Sequence, residues 1–326
     1  MKYIIIPIAL YALFLILSGC SKYIGITKSQ AKKNLIAYLE RDFEDDLAFK
    51  NLNRFFNAAT MNPDIFSVLI YNKEIPEIEF YAHLNLKTIL DDTVLPLQAG
   101  EQLTCQDLYQ ASKKRYKARQ AVIKELQPDF DIHFNYKEIN ISLNTQPTPD
   151  ALNSILQRCV SILNQYHKAL DHYNDFEVTI KTPEQPKGFV TFTLEDDREQ
   201  WTRSPLQLSN NYSNYKNLKH QLTNYALNQI ATYKTPYILA ERQSIYIDTK
   251  TLSRAALIQY LDDSSIDNTN NGPWINPQKG IYIIYFDVYS NFIYRGELLT
   301  ETNDTLDYDE TLALIKTALN TEGIQF

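Results

Sequence analysis

Glycine is scarce in this chain: 8 residues in 326, where an average soluble protein of that length carries about 23. No two of them form a GxG or GxxxxGK pattern, so the loops whose backbone amides wrap a phosphate are missing and nucleotide-dependent chemistry is not expected. GxSxG is absent as well, which removes the tight turn that presents a serine nucleophile in many hydrolases. Histidine is equally sparse, with His83, His133, His167, His172 and His220. Only His167 and His172 are close, and a spacing of five puts them about 140° apart around a helix, not on one face as in HExxH. No metal or cofactor is expected from these residues. Runs of like charge are short, and 32 basic against 39 acidic side chains give a formal charge of −7, which argues against nucleic acid as a partner.

What is present begins at the N-terminus. Met1 and Lys2 are followed by an apolar run of 14 residues, Ile4 to Leu17, which suits a signal-peptide core and is short for a membrane-spanning helix. It closes on Leu17-Ser18-Gly19-Cys20, which resembles the lipobox of bacterial lipoproteins. That resemblance covers residues 1–20 alone. It implies cleavage before Cys20, with a diacylglycerol thioether and an N-acyl chain on that cysteine. Several acyl chains hold firmly, because each buried CH₂ contributes about 0.8 kcal/mol. It also implies a location in the cell envelope. In enterobacterial lipoproteins an aspartate after the cysteine favours retention in the inner membrane. Ser21 stands here instead, so the outer membrane is the default in a cell with two membranes.

Loss of residues 1–19 would leave 307, enough for one large domain or two ordinary ones. Once Cys20 is set aside, Cys105 and Cys159 remain. In an oxidising envelope an even pair invites a disulfide, which would close a loop of about 55 residues and constrain the unfolded chain by roughly 4 kcal/mol. Against this, Cys159 falls on the apolar face of a predicted helix, where a free thiol is equally at home. The pairing stays open on sequence grounds. The 23 tyrosines suit either sheet faces and helix–sheet seams or an exposed surface for a protein or glycan.

The pattern along the chain alternates amphipathic helices with strand pairs. The clearest helix runs from Pro149 to His172, where Leu152, Ile155, Leu156, Cys159, Ile162, Leu163, Tyr166 and Leu170 form one stripe after a Thr148 N-cap. Further helices are expected over 28–49, 104–126, 213–233, 252–261 and 308–319, the last with Asp307 and Glu310 as a capping pair. Strand pairs are expected over 66–86, 130–143, 176–194, 237–249 and 281–299. Within the last, Ile281 to Val288 is apolar at almost every position and should be a central strand. Residues 66–84 align without a gap on 176–194: Phe66/Phe176, Val68/Val178, Ile70/Ile180, Glu74/Glu184, Pro76/Pro186 and Leu84/Leu194 coincide. The reading is an α+β protein of tandem helix–β-hairpin units, with antiparallel sheets and helices on one face. Its segments are a signal peptide (1–19), a lipidated tether (20–27), a first block (28–146) and a second block with an extra C-terminal unit (147–326). The connector 144–149 marks the internal boundary.

Few residues suggest chemistry. Asp267 to Gly272 has the oxygen-rich spacing of a calcium loop but places Gln278 where a bidentate glutamate is required. The acidic clusters at Glu44-Asp45-Asp46, Asp91-Asp92 and Glu195-Asp196-Asp197 could supply a glycosidase pair, with Trp201 or Trp274 as a stacking platform. Lys113, Lys114, Arg115, Lys117 and Arg119, with Lys124, make the 104–126 helix distinctly basic within an acidic protein and the leading candidate binding surface. It could dock an acidic partner or lipid phosphates near the anchor. The expected function is therefore a lipid-anchored envelope protein that binds a protein or glycan without catalysis, as an accessory subunit, an inhibitor or an immunity factor. The alternative is an envelope hydrolase acting on glycan or peptidoglycan.

Overall fold

The computed structural model describes residues 25–55, 61–96, 102–170, 173–233, 237–263, 280–299 and 308–324. The lipobox, the calcium-like loop, Trp274, His172 and Asp307 lie outside the described residues. Helix and antiparallel sheet are both abundant, and the class is α+β. The chain divides into two compact units after Ala118, inside a helix, not at the 144–149 connector. That connector lies within the second unit, because strands on either side of it pair with one another in a single sheet.

In the first unit, helix α1 (Lys28–Phe43) starts where the Thr27 hydroxyl accepts the Gln30 amide at 3.2 Å. It stops at Glu44 and Asp45, whose positive φ values of 50° and 64° turn the chain back. The helix is thus shorter than the expected 28–49. The remainder becomes strand β1 (Leu47–Arg54), paired antiparallel with β2 (Ile65–Asn72), which pairs with β3 (Glu79–Asn85). Phe66, Val68 and Ile70 of β2 and Phe80, Ala82 and Leu84 of β3 form one face. Leu35, Tyr38 and Leu39 of α1 cover that face, together with Cys105 and Tyr109 from the start of helix α2 (Cys105–Leu126).

The second unit holds one ten-stranded sheet. Strands β4 (Asp131–Phe134) and β5 (Glu138–Ser142) lead into helix α3 (Pro149–Gln165) and the short α4 (His167–Leu170). They are followed by β6 (Asp175–Lys181), β7 (Val190–Asp196), β8 (Trp201–Arg203), β9 (Gln207–Leu208) and helix α5 (Tyr215–Ile230). The chain ends in β10 (Tyr237–Ile247), β11 (Arg254–Asp263), β12 (Gly280–Asp287), β13 (Ile293–Leu299) and helix α6 (Tyr308–Thr321). The spatial order is β13-β12-β11-β10-β9-β7-β6-β5-β4, with β8 beside β7, and among the described residues only β5–β6 is parallel. As the sequence predicts, Thr148 caps α3, its hydroxyl accepting the Ala151 amide at 3.3 Å, with Pro149 at the first helical position. Strand β12 is an interior strand buried along nearly its whole length, but it lies beside the edge strand β13 and not at the centre of the sheet. Ile281, Ile283 and Tyr285 pack with Ile315 and Leu319 of α6. On the other face, α5 packs on β12, and Tyr225 of that helix and Tyr282 of β12 both lie close over Gly296 of β13, where a side chain would collide with them. Helices on one face thus describe the first unit, whereas β12 is covered on both.

Two segments take a different structure from the one expected. Residues 252–261 form most of β11, not a helix, because this segment pairs with β10 on one side and β12 on the other. Every residue from Ala255 to Leu261 is buried, so no alternation marks it as a strand in the sequence. Residues 237–247 form one long strand instead of a pair. Its ladder shifts between Leu239 and Gln243, where the Gln259 side-chain amide donates to the Ala240 carbonyl at 2.8 Å.

Candidate functional site

Helix α2 carries the basic residues singled out by sequence. It begins in a reciprocal cap: the Asp107 carboxylate accepts both the amide and the hydroxyl of Thr104, at 2.8 and 2.7 Å, and the Thr104 hydroxyl accepts the Asp107 amide. Those bonds hold the Asp107 carboxyl below the usual carboxylate range. One side of the helix faces the first unit's core through Cys105, Tyr109 and Ser112, whose hydroxyl donates to the Glu79 carbonyl at 2.9 Å. Lys114 and Lys117, three apart, are exposed, with Lys113 and Arg115 half-buried beside them. The Lys113 ammonium lies 5.1 Å from the Tyr109 ring centroid, so its charge is partly spent on that ring.

Arg119 does not belong to this surface. It is 8% exposed and donates to the Tyr173 hydroxyl at 3.0 Å, within the second unit. A guanidinium inside a core needs acceptors to offset its lost hydration, and a buried tyrosine supplies one. The candidate surface therefore contracts to Lys113, Lys114, Arg115 and Lys117.

The two cysteines are free and buried. Each is taken up by the core of its own unit: Cys105 among Tyr38, Phe43 and Tyr109, and Cys159 on the inner stripe of α3. Burial pushes each thiol up to about 12, so neither is a poised nucleophile. The expected alternative of a disulfide is thus resolved in favour of two structural thiols.

The histidines and acidic clusters are engaged in local structure. His167 is buried, and its Nε2 lies 2.7 Å from an Asp196 oxygen. Its ring also stands against Trp201, at 5.4 Å between centroids. Trp201 is 1% exposed, and Asn164 brackets its backbone, which excludes it as a surface stacking platform. His83 stacks on Phe55 at 4.1 Å, and burial lowers its pKa. His220 bonds Asn224 on α5, and His133 is exposed on β4. Asp45 pairs with Lys73 at 2.5 Å, Asp92 accepts the Val94 amide, and Asp197 accepts the Glu199 and Gln200 amides in a turn. Among the described residues no group of three His, Cys, Asp or Glu side chains could hold a metal ion.

Sequence reasoning did not single out the exposed aromatic residues. Tyr81 on β3 is 65% exposed, and Phe292 and Tyr294 at the start of β13 are 62% and 50% exposed. The alternation of β3, with Phe80, Ala82 and Leu84 inward, carries the signal for Tyr81. For Phe292 and Tyr294 the signal is weaker, because the β12–β13 ladder shifts between Tyr285 and Phe286. Among the described residues no helix is long and apolar enough to cross a membrane. No protein-family model matches the chain, and no curated protein matches it.

Proposed function

We propose that this is a lipid-anchored protein of the cell envelope that binds another macromolecule, as an accessory subunit or inhibitor, without catalysing a reaction. The lipobox Leu17-Ser18-Gly19-Cys20 carries the reading: Cys20 takes the acyl chains, and the body behind the short tether is held at a membrane surface. In a cell with two membranes, Ser21 directs it to the outer one. The partner is an envelope protein or glycan, and the exposed amines of Lys114 and Lys117, with Lys113 and Arg115 beside them, suit an acidic partner. The commitment of His167, Asp196, Asp197 and both body cysteines to local bonds or core packing supports a binding role over hydrolysis.

The experiment compares the parent with Cys20→Ala and with Lys114→Glu/Lys117→Glu, each expressed in a bacterium that processes lipoproteins. Parent protein is expected in the membrane fraction with acyl chains on its first residue, and Cys20→Ala unprocessed or soluble. The double charge reversal should lower capture of the envelope partner about tenfold without altering fractionation. An acylated, correctly cleaved Cys20→Ala product would sink the anchor. Turnover of purified peptidoglycan, lost on changing one carboxylate, would replace binding with hydrolysis.

A further inference from the structure

Among the described residues five strands have a partner on one side only, and four of them are short, broken or occupied. Strand β1 shifts register between Lys50 and Asn53, β4 and β8 are four and three residues long, and the Glu79 carbonyl on the edge of β3 accepts the Ser112 hydroxyl. Strand β13 is different. Its ladder with β12 shifts once, near Tyr294, and then runs regularly from Arg295↔Tyr285 to Leu299↔Ile281, and among the described residues no strand pairs with its other side.

The hydrogen-bond phase of this edge follows from its neighbours. Val288 donates to the Ser253 carbonyl of the strand-entry segment before β11, and Asp287 donates to the Phe292 carbonyl. Bonds therefore alternate along β12, even-numbered residues toward β11 and odd-numbered ones toward β13. Arg295, Glu297 and Leu299 spend their backbone groups on β12. Gly296 and Leu298 point theirs outward, and an unpaired row of this kind is a template for another strand.

We propose that β13 pairs antiparallel with β13 of a second copy of this chain, about a two-fold axis through Gly296. The side chains carry the choice of occupant. A two-fold centred on Gly296 sets Arg295 opposite the partner's Glu297, and Glu297 opposite the partner's Arg295. The same axis brings Ile293 and Tyr294, which lie beyond the register shift, toward the partner's Leu299 and the partner's Leu298. Charge thus meets opposite charge and apolar meets apolar, the condition for a self-complementary interface. The axis is perpendicular to the sheet, so both copies keep the same face on the same side. Arg295 and Glu297 both lie on the α6 face: Tyr285, which packs with α6, donates to Glu297 at 2.7 Å, and Arg295 reaches Glu322 just beyond that helix at 2.5 Å. Within one copy Arg295 also bonds Glu297 along the strand, which holds both heads at the edge where the partner arrives. The two outward Gly296 groups form the central hydrogen-bonded pair, and the Arg295–Glu297 positions become non-hydrogen-bonded pairs, in which Cα atoms approach to about 4.5 Å.

That spacing suits a disulfide, so the test mixes two variants. Purified full-length Arg295→Cys and Glu297→Cys, in mild detergent, are oxidised separately and together. The expected result is a species of twice the chain mass in the mixture and little in either variant alone, because position 295 faces position 297 and not itself. In parallel, sedimentation should show Arg295→Glu weakening self-association at least about tenfold, with Arg295→Glu/Glu297→Arg restoring it. Absence of the mixed disulfide, equal cross-linking in all three samples, or an unchanged association constant across the charge variants would each overturn the pairing.

Discussion

The hairpins β2–β3 and β6–β7, one in each unit, are built alike from related sequences and are given different neighbours. Phe66 faces Leu84, Val68 faces Ala82 and Ile70 faces Phe80. In the second hairpin Phe176 faces Leu194, Val178 faces Phe192 and Ile180 faces Val190, the same register residue for residue. The connections agree too. The Ile75 amide donates to the Asn72 side chain at 2.8 Å and the Gln185 amide to the Thr182 hydroxyl at 3.2 Å. Ile78 donates to the Ile75 carbonyl as Gly188 does to Gln185. Pro76 and Pro186 both fall in the connection, where no ladder amide is needed. Beyond the hairpin the likeness ends. On its other side β2 takes β1 antiparallel, while β6 takes β5 parallel, with α3 as the crossover. A hairpin is thus a local decision, and the strand beside it is not.

The comparison can be broken most forcefully at the paired phenylalanines. Both are buried, at 1% and 0% exposure, and Phe→Ala in such a site costs about 3–5 kcal/mol. Phe176 also has Phe134, Tyr173 and Trp201 within 5.4, 5.1 and 4.7 Å, whereas Phe66 has the Arg54 guanidinium at 5.0 Å. Phe176→Ala should therefore stand at the upper end and Phe66→Ala at the lower, measured by urea unfolding. Equal losses would mean that the hairpin itself, and not its surroundings, sets the cost.

The turn caps come next. Asn72 accepts the Glu74 and Ile75 amides and donates to the Tyr109 hydroxyl at 3.0 Å, so Asn72→Ala removes one buried and two part-buried bonds and should cost about 2–3 kcal/mol. Thr182 offers one such bond, and Thr182→Ala should cost about 1 kcal/mol. The reverse order would show that Asn72 is held for another reason.

The last effect compares the two thiols across pH. Folding raises each from the ordinary value of 9.0 to about 12, so the unfolded chain ionises first and stability falls as pH rises from about 9 to about 12. At pH 10 the loss should be on the order of 1 kcal/mol for each thiol. Unfolding free energies of the parent, Cys105→Ala and Cys159→Ala at about pH 8 and pH 10 check this. Each substitution should remove its own share of the alkaline loss, and identical slopes in all three proteins would contradict it.

Legibility in the sequence followed the range of the interactions. Thr148 and Pro149 announced α3 because a cap is made within three residues, and the β2–β3 and β6–β7 faces were readable because strand side chains alternate. Residues 252–261 misled because a strand buried on both faces and a buried helix present the same mostly apolar run without alternation. The basic helix was legible as a helix, yet Arg119 left its surface for Tyr173, 54 positions away, and nothing local marks that exchange.

Sequence by itself determined the two matching hairpins, the α3 stripe and its cap, the burial of β12 and the N-terminal motif from which the anchor is proposed. All of these rest on side-chain period, turn bonds or residue order over a few positions. Tertiary structure alone decided that β5 lies parallel to β6, that 252–261 is a strand, that α5 and α6 cover opposite faces of β12, and that both cysteines end in separate cores as free thiols. Those outcomes depend on which distant segment removes a given surface from water, and that choice is made by packing across the whole unit.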